Sequence, residues 1–294
     1  MQKYALKKSV YSFINKILNY KNYYKLKKIK NLILEDKFDE TIDRKLGYKF
    51  LKSIAFNQNL KNELNNYINK KKLLNVKEFS EKKFLLNILD NNEINSLQNL
   101  IQFSLSKEII YMATNYLNDL PFLSHIHICI TPPNDTIESS QLYHLDTEAK
   151  KNVKFFFLLN DVDENNGPFT FIDKLNSKKI IKITNYDGKR LNDDEIKNSE
   201  KNYENYEKKF IGKYGSGLAI DTANCLHYGS RKNIKDRVIL ILYFTTHFTS
   251  HYENHDLFKK IEKSKLNEIQ KNIVSHFNGE IFRDKNFFKR KKNI

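Results

Sequence analysis

Cysteine, proline, glycine and arginine are all scarce in this 294-residue chain, and each scarcity removes a class of protein. The two cysteines, Cys129 and Cys225, stand far apart, each in an apolar stretch, so neither a disulfide framework nor a cysteine-rich zinc module can be assembled. That usage fits a reducing, intracellular setting, and cytoplasmic placement is the expectation. The longest apolar runs, Phe155 to Leu159 and Val238 to Phe244, fall far short of the ~18 residues of a membrane span. The start, MQKYALKKSV, lacks a signal-peptide core. Only six of the 51 basic residues are arginine. A nucleic-acid reader concentrates arginine and stacking aromatics in one region, whereas lysines here run from end to end, so nucleic acid is not the expected partner despite a formal charge of +16.

What is plentiful is lysine, asparagine, isoleucine and tyrosine, which share A/T-rich codons, and genome composition spread over a solvated surface is the expected source of the charge. The length and a 40% hydrophobic content support one sizeable core. No internal repeat is visible. From Leu6 to about residue 118 apolar residues recur at three and four, as in Phe13, Ile17 and Tyr20, and no proline precedes Pro121. Helices are expected over about 6–35, 58–90 with a break, 92–104 behind Asn91 and 107–118 behind Ser106, two residues suited to capping.

At Pro121 the texture changes to short runs of Ile, Phe and Val bounded by Gly, Pro, Asn and Asp. Strands are expected at about 123–131, 141–146, 153–160, 168–173, 217–221, 224–229 and 237–246, a pattern of sandwich or barrel rather than βαβ sheet. Residues 174–213 are polar and long for a connection, a lid or a disordered surface segment. Beyond Thr246 helical, charged sequence returns and ends in a basic tail, Lys289 to Lys292.

The chemistry concentrates in Tyr143-His144-Leu145-Asp146, because on a strand residues i and i+2 project from one face and can grip one ion. The next strand runs through the acidic turn Asn160-Asp161-Val162-Asp163-Glu164-Asn165-Asn166-Gly167-Pro168 into another. Much later Asp221-Thr222 approaches His227, and Arg237 opens the following apolar strand. Two His and one carboxylate leave open positions on a non-haem Fe(II), as an oxygenase needs.

On these residues the stretch 107–247 resembles the phytanoyl-CoA dioxygenase-like branch of Fe(II)- and 2-oxoglutarate-dependent oxygenases. The resemblance implies an α+β protein with a double-stranded β-helix core, a cupin-like jelly-roll barrel, over 107–247, with 174–213 as a lid-like insertion. A helical region, 1–106, would pack on it, and 248–294 would form a helical extension. It further implies that His144, Asp146 and His227 hold Fe(II) and that Arg237 pairs with the distal carboxylate of 2-oxoglutarate. The guanidinium fork, charged even in a partly dry pocket, suits that task. The implied reaction consumes O2 and 2-oxoglutarate, releases succinate and CO2, and hydroxylates an unactivated C–H of a small molecule. After Gly167-Pro168, where many relatives continue Pro-Gly-Ser-His, this chain continues Phe169-Thr170-Phe171. Relatives that halogenate replace the metal carboxylate by a small residue, and Asp146 is retained here.

Lesser candidates surround this set. The run Ser124 to Ile130 alternates, with His125, His127 and Cys129 on one face, and His127 is either a donor to 2-oxoglutarate or a core histidine. Gln141 and Tyr143 are candidate contacts for cosubstrate or substrate. His247, His251 and His255 recur every four residues and are read as surface residues. The alternatives are a non-catalytic β-helix binding protein, a nucleic-acid-directed oxygenase, and a metal-dependent isomerase or lyase. Neither the substrate nor the oligomeric state is legible in the pattern.

Overall fold

The computed structural model describes residues 2–73, 84–248 and 260–275. The expected first helix forms as two, α1 (Gln2–Leu18) and α2 (Tyr20–Glu35), broken at Asn19. The Asn19 side chain donates to the Asn15 carbonyl at 3.0 Å, the kind of local bond that competes with continued helix. Next come β1 (Tyr48–Leu51), α3 (Gln58–Leu73), β2 (Leu86–Asn87), a 3-10 turn over Asn91–Ser96, α4 (Gln98–Ser104) and α5 (Lys107–Leu117).

The region up to 118 is therefore not wholly helical. β1 and β2 are four and two residues long, too short to carry a period, and they exist because strands further along the chain offer them edges. The expected caps also differ. Asp90 rather than Asn91 accepts from the Asn92 backbone N–H, at 2.8 Å, and the Ser106 side chain makes no cap bond.

Beyond Pro121 the strands are β3 (Pro121–Thr131), β4 (Val153–Leu158), β5 (Phe169–Ile172), β6 (Glu207–Phe210), β7 (Gly217–Ile220), β8 (His227–Tyr228) and β9 (Arg237–Thr246). They form two antiparallel sheets, a six-stranded one in the order β1-β7-β4-β9-β3-β2 and a three-stranded one in the order β6-β5-β8. The expected strand at 141–146 does not form as one. Residues Ser139–Gln141 make a 3-10 turn, and His144 reaches β8 through an isolated bridge to His227.

Strand alternation sorts the core. Val153, Phe155 and Phe157 of β4 and Val238, Leu240, Leu242 and Phe244 of β9 pack against the helices. Phe156, Leu158 and Ile239, on the opposite faces, meet Phe169, Phe171 and Cys225 between the sheets. Each buried Phe contributes about 2–3 kcal/mol of burial, so β4 and β9 anchor both layers.

The stretch 174–213 holds α6 (Lys174–Ile183), α7 (Asp193–Ser199), a 3-10 turn and β6. Ile180, Ile196 and Tyr203 from it cluster with Tyr143, Leu145 and Tyr228 on the outer side of the small sheet. One expectation is overturned at His247. It is 1% exposed, its ring 5.3 Å from that of Phe122, because β9 runs to Thr246 against β3 and delivers the next residue into the core. His251, His255 and the basic tail lie outside the described residues. α8 (Glu268–Val274) closes the described chain and packs on β3.

Candidate metal centre

His144 and His227 face each other across the bridge, exchanging both backbone bonds at 3.0 and 3.1 Å. This pairing is the doubly hydrogen-bonded kind of an antiparallel ladder, and the two ring centroids stand 4.3 Å apart. Two residues on, the Asp146 N–H donates to the Thr222 carbonyl at 3.0 Å, holding Asp146 on the same side as His144. One potential ligand atom from each of His144, Asp146 and His227 lies within 4.8 Å of the others.

Both imidazoles are oriented by the same device. The His144 Nδ1 lies 2.8 Å from the Leu142 carbonyl and the His227 Nδ1 2.9 Å from the Cys225 carbonyl. A carbonyl can only accept, so each Nδ1 carries the proton and donates it, and each Nε2 keeps a free lone pair. Burial lowers the His144 pKa to about 3 and pushes that of His227 below its ordinary value, so both rings are neutral. The His227 Nε2 stands 3.9 Å from Asp146 Oδ1. Two neutral imidazole nitrogens and a carboxylate oxygen, each with its other atoms already engaged, suit a divalent transition metal.

Sequence reasoning missed the cation beside them. The Lys154 Nζ lies 2.7 Å from Asp146 Oδ2, a close ion pair without the direction of a good hydrogen bond, and 4.9 Å from the Tyr243 ring. Burial opposes the charge on Asp146, yet the Lys154 ammonium beside it holds the carboxyl below the usual carboxylate range. The signal was present: Lys154 sits in the apolar run Val153 to Leu159 with the parity of Phe156 and Leu158, which face the inter-sheet space.

Arg237 has the parity of Ile239 and Ile241 and faces the same space. It is 3% exposed. Its NH1 donates to the Gly167 carbonyl at 3.1 Å and its NH2 to Thr131 Oγ1 at 3.4 Å, while Nε has no partner. Among the described residues no carboxylate meets it, and burial lowers its pKa to about 10. A buried guanidinium in this state is short of an anion.

The acidic turn is the backrest of this arginine. The Asn160 and Asn166 side-chain amides both donate to the Asp236 carbonyl, at 3.0 and 2.6 Å, and Asn160 Oδ1 accepts from the Val238 N–H at 2.7 Å. Asp161 and Asp163 point outward to Lys213 and Lys235. Gly167 has φ +59°, and a Cβ there would stand 2.3 Å from Ser230 Oγ, so the site needs glycine.

Other expected contacts separate. His127 is half-buried on the inward face of β3, paired with Ile241, its ring 5.1 Å from that of His125. Tyr143 faces away from the triad, with its hydroxyl on Glu207. Gln141 spends its amide on loops, donating to Asn134 Oδ1 and the Ser230 carbonyl and accepting from Thr136 and the Glu138 N–H. Asp221 is buried and accepts from the Tyr116 hydroxyl at 2.6 Å and Asn224 at 2.8 Å.

No protein-family model matches the sequence, and no curated protein matches it. In fold the chain is similar to EctD from S. alaskensis in its apoform, with TM-score 0.52 and 13% identity over 74% of this chain and 81% of that one. The crystal structure of EctD with bound Fe gives TM-score 0.50 and 13% identity over 74% and 82%. The non-heme alpha ketoglutarate dependent carbocyclase SnoK from nogalamycin biosynthesis gives TM-score 0.50 and 12% identity over 85% and 97%.

Proposed function

We propose that this chain is an Fe(II)- and 2-oxoglutarate-dependent dioxygenase built on a double-stranded β-helix, and that it hydroxylates an unactivated C–H of a small molecule. The observation that carries the reading is the pairing, in one inter-sheet space, of a three-donor cluster with a buried guanidinium that no carboxylate among the described residues meets. The similar folds of EctD with bound Fe and of SnoK agree with it.

In this reading His144 Nε2, His227 Nε2 and Asp146 hold Fe(II), and Arg237 receives the distal carboxylate of 2-oxoglutarate as a bidentate fork. When bound, the metal and keto acid supply O2-dependent oxidative decarboxylation, to succinate and CO2, coupled to C–H oxidation. The chain's own part is positioning. The Leu142 and Cys225 carbonyls fix the two imidazole tautomers, Lys154 occupies Asp146 Oδ2 and leaves Oδ1 toward His227, and the apolar packing of Phe156, Phe169 and Ile239 keeps water from the arginine. His127 is a further donor toward the cosubstrate. The stretch 174–213 shapes substrate entry from outside the small sheet. A cytoplasmic setting, where thiols stay reduced, suits the buried free Cys129 and Cys225.

The test is an anaerobic titration of 2-oxoglutarate into the Fe(II)-loaded protein, read as the weak visible charge-transfer band of a chelated keto acid. The band is expected in the wild type, absent in His227→Ala, and reached only at higher 2-oxoglutarate in Arg237→Ala. Folded, iron-binding protein that gives no band would return the fold to a binding role or another metal chemistry.

A further inference from the structure

The charge and the exposed apolar surface of this protein share one address. Residues 1–35 carry nine lysines and one acidic residue, Glu35, and so hold half of the chain's net +16. Half of the exposed large apolar side chains among the described residues lie there too, namely Val10, Phe13, Ile17, Leu18, Tyr20, Tyr24 and Leu32. Genome composition raises lysine everywhere; it does not gather it with exposed aromatics on one helix pair and omit acids.

The helices are also turned unusually. On α1, Asn15 is 0% exposed and Asn19, at its end, 8%, whereas Phe13 is 64% exposed and Ile17 56%. Phe13 and Ile17 are one turn apart and share a face with Val10, so over residues 9–18 α1 turns Asn15 inward and presents an apolar stripe outward. Lys16 accounts for part of the inward docking, through a 2.8 Å ion pair with Asp119. On α2 the inward positions are ordinary, Leu26 and Ile33, and the outward stripe reads Tyr24, Lys28, Leu32 at four-residue spacing, flanked by exposed Lys21 and Lys25. The basic character continues beside α1, where Lys16, Lys150, Lys151, Lys174 and Lys178 line a cavity of about 600 Å³ in which Asp119, the partner of Lys16, also stands. Lys150 and Lys178 are exposed, and burial, with Lys174 and Arg44 nearby, lowers the Lys151 pKa to about 8.

We propose that the α1–α2 face docks on an anionic lipid surface, with Phe13, Ile17 and Tyr24 entering the headgroup boundary and the surrounding lysines meeting lipid charge. Apolar insertion flanked by lysines is the signature of an interfacial helix, and each lysine near an anionic leaflet adds attraction. A second copy of this chain is a poor occupant, since two such faces would set lysine against lysine. Nucleic acid accounts for the lysines and leaves Val10, Phe13, Ile17 and Leu18 without a role. No helix among the described residues is long and apolar enough to cross a membrane, so the contact is with the surface.

The experiment is flotation of the full-length protein with vesicles of phosphatidylcholine alone and of phosphatidylcholine with phosphatidylglycerol. Binding is expected only to the mixed vesicles and is expected to fall as salt rises. The double variant Phe13→Glu/Ile17→Glu and the triple variant Lys21→Glu/Lys25→Glu/Lys28→Glu touch only exposed positions, so circular dichroism should stay unchanged. Each is expected to weaken vesicle partition by at least about a hundredfold, the scale of merely neutralising three surface lysines. Absence of flotation, or flotation that both variants retain, overturns the proposal. So does a dimer in light scattering that the Phe13→Glu/Ile17→Glu variant dissolves, or DNA or RNA binding that only the lysine variant loses. None of these readouts depends on the metal centre, so this inference and the oxygenase reading fail independently.

Discussion

The two sheets divide the labour unequally. The large sheet contains the long partners β3 and β9, matched from Pro121↔Thr246 to Thr131↔Arg237 with a shift near Leu123, and buries apolar side chains on both faces. The small sheet has strands of four, four and two residues, and one side of the donor cluster beside it hangs on a single bridged pair. A strand of two residues contributes little stability by itself. Its geometry is imposed by the layers around it, leaving its inward residues free to be chosen for chemistry.

This contrast can be broken or sharpened by substitution. The largest effect is expected for His227→Ala, which should abolish metal-dependent turnover while shifting the melting temperature by only a few degrees. A collapse of the fold instead would make the small sheet a scaffold and erase the distinction. Phe157→Ala, in the large sheet beneath Phe56 and Phe103, should cost about 3–5 kcal/mol in denaturant unfolding without altering the donor geometry of whatever protein remains folded.

Lys154→Met crosses the two classes, because the residue stands on the large sheet and serves the small one. It leaves the Asp146 carboxylate without its cation, so the metal-free protein should lose about 1–3 kcal/mol. A divalent metal should then raise the melting temperature of this variant more than that of the wild type, and equal gains would deny that Lys154 and the metal answer the same charge.

The smallest effect is expected outside both sheets, at Glu93. Hydrogen bonds from Lys71 first and Tyr67 next lower its pKa to about 2. A carboxylate depressed in the folded state adds stability above its unfolded pKa, near 4.5, and loses it as pH falls from there toward 2. Glu93→Gln should therefore flatten that acid limb in melting experiments by no more than about 1 kcal/mol, and leave the neutral-pH activity unchanged.

Legibility in the sequence follows strand length and local motif across both sheets. The long strands of the large sheet, β3, β4 and β9, announced themselves because each is long enough for an apolar pattern to show, as in the alternation of Ser124 to Ile130. The cluster was legible for a different reason: His144-Leu145-Asp146 carries its own geometry, and His227 and Arg237 stand at recognisable distances from it. β1 and β2 were not legible, since tertiary pairing creates them. Nor was the Asp146–Lys154 ion pair, which joins an irregular segment to a strand, although a lysine inside an apolar run was a visible anomaly. His247 was misread because its burial depends on how far β9 continues.

The turn from Asn160 to Gly167 invites a last consequence. Its asparagines and the Gly167 carbonyl are tied to Asp236, Arg237 and Val238, while its acids face outward to lysines. The turn therefore works as a gauge block that sets the depth of the guanidinium. A change at the outward Glu164 should pass freely, whereas Asp161 and Asp163 also accept the backbone N–H groups of Tyr214 and Asn165, and an insertion or deletion of one residue would reset the reach of the whole pocket.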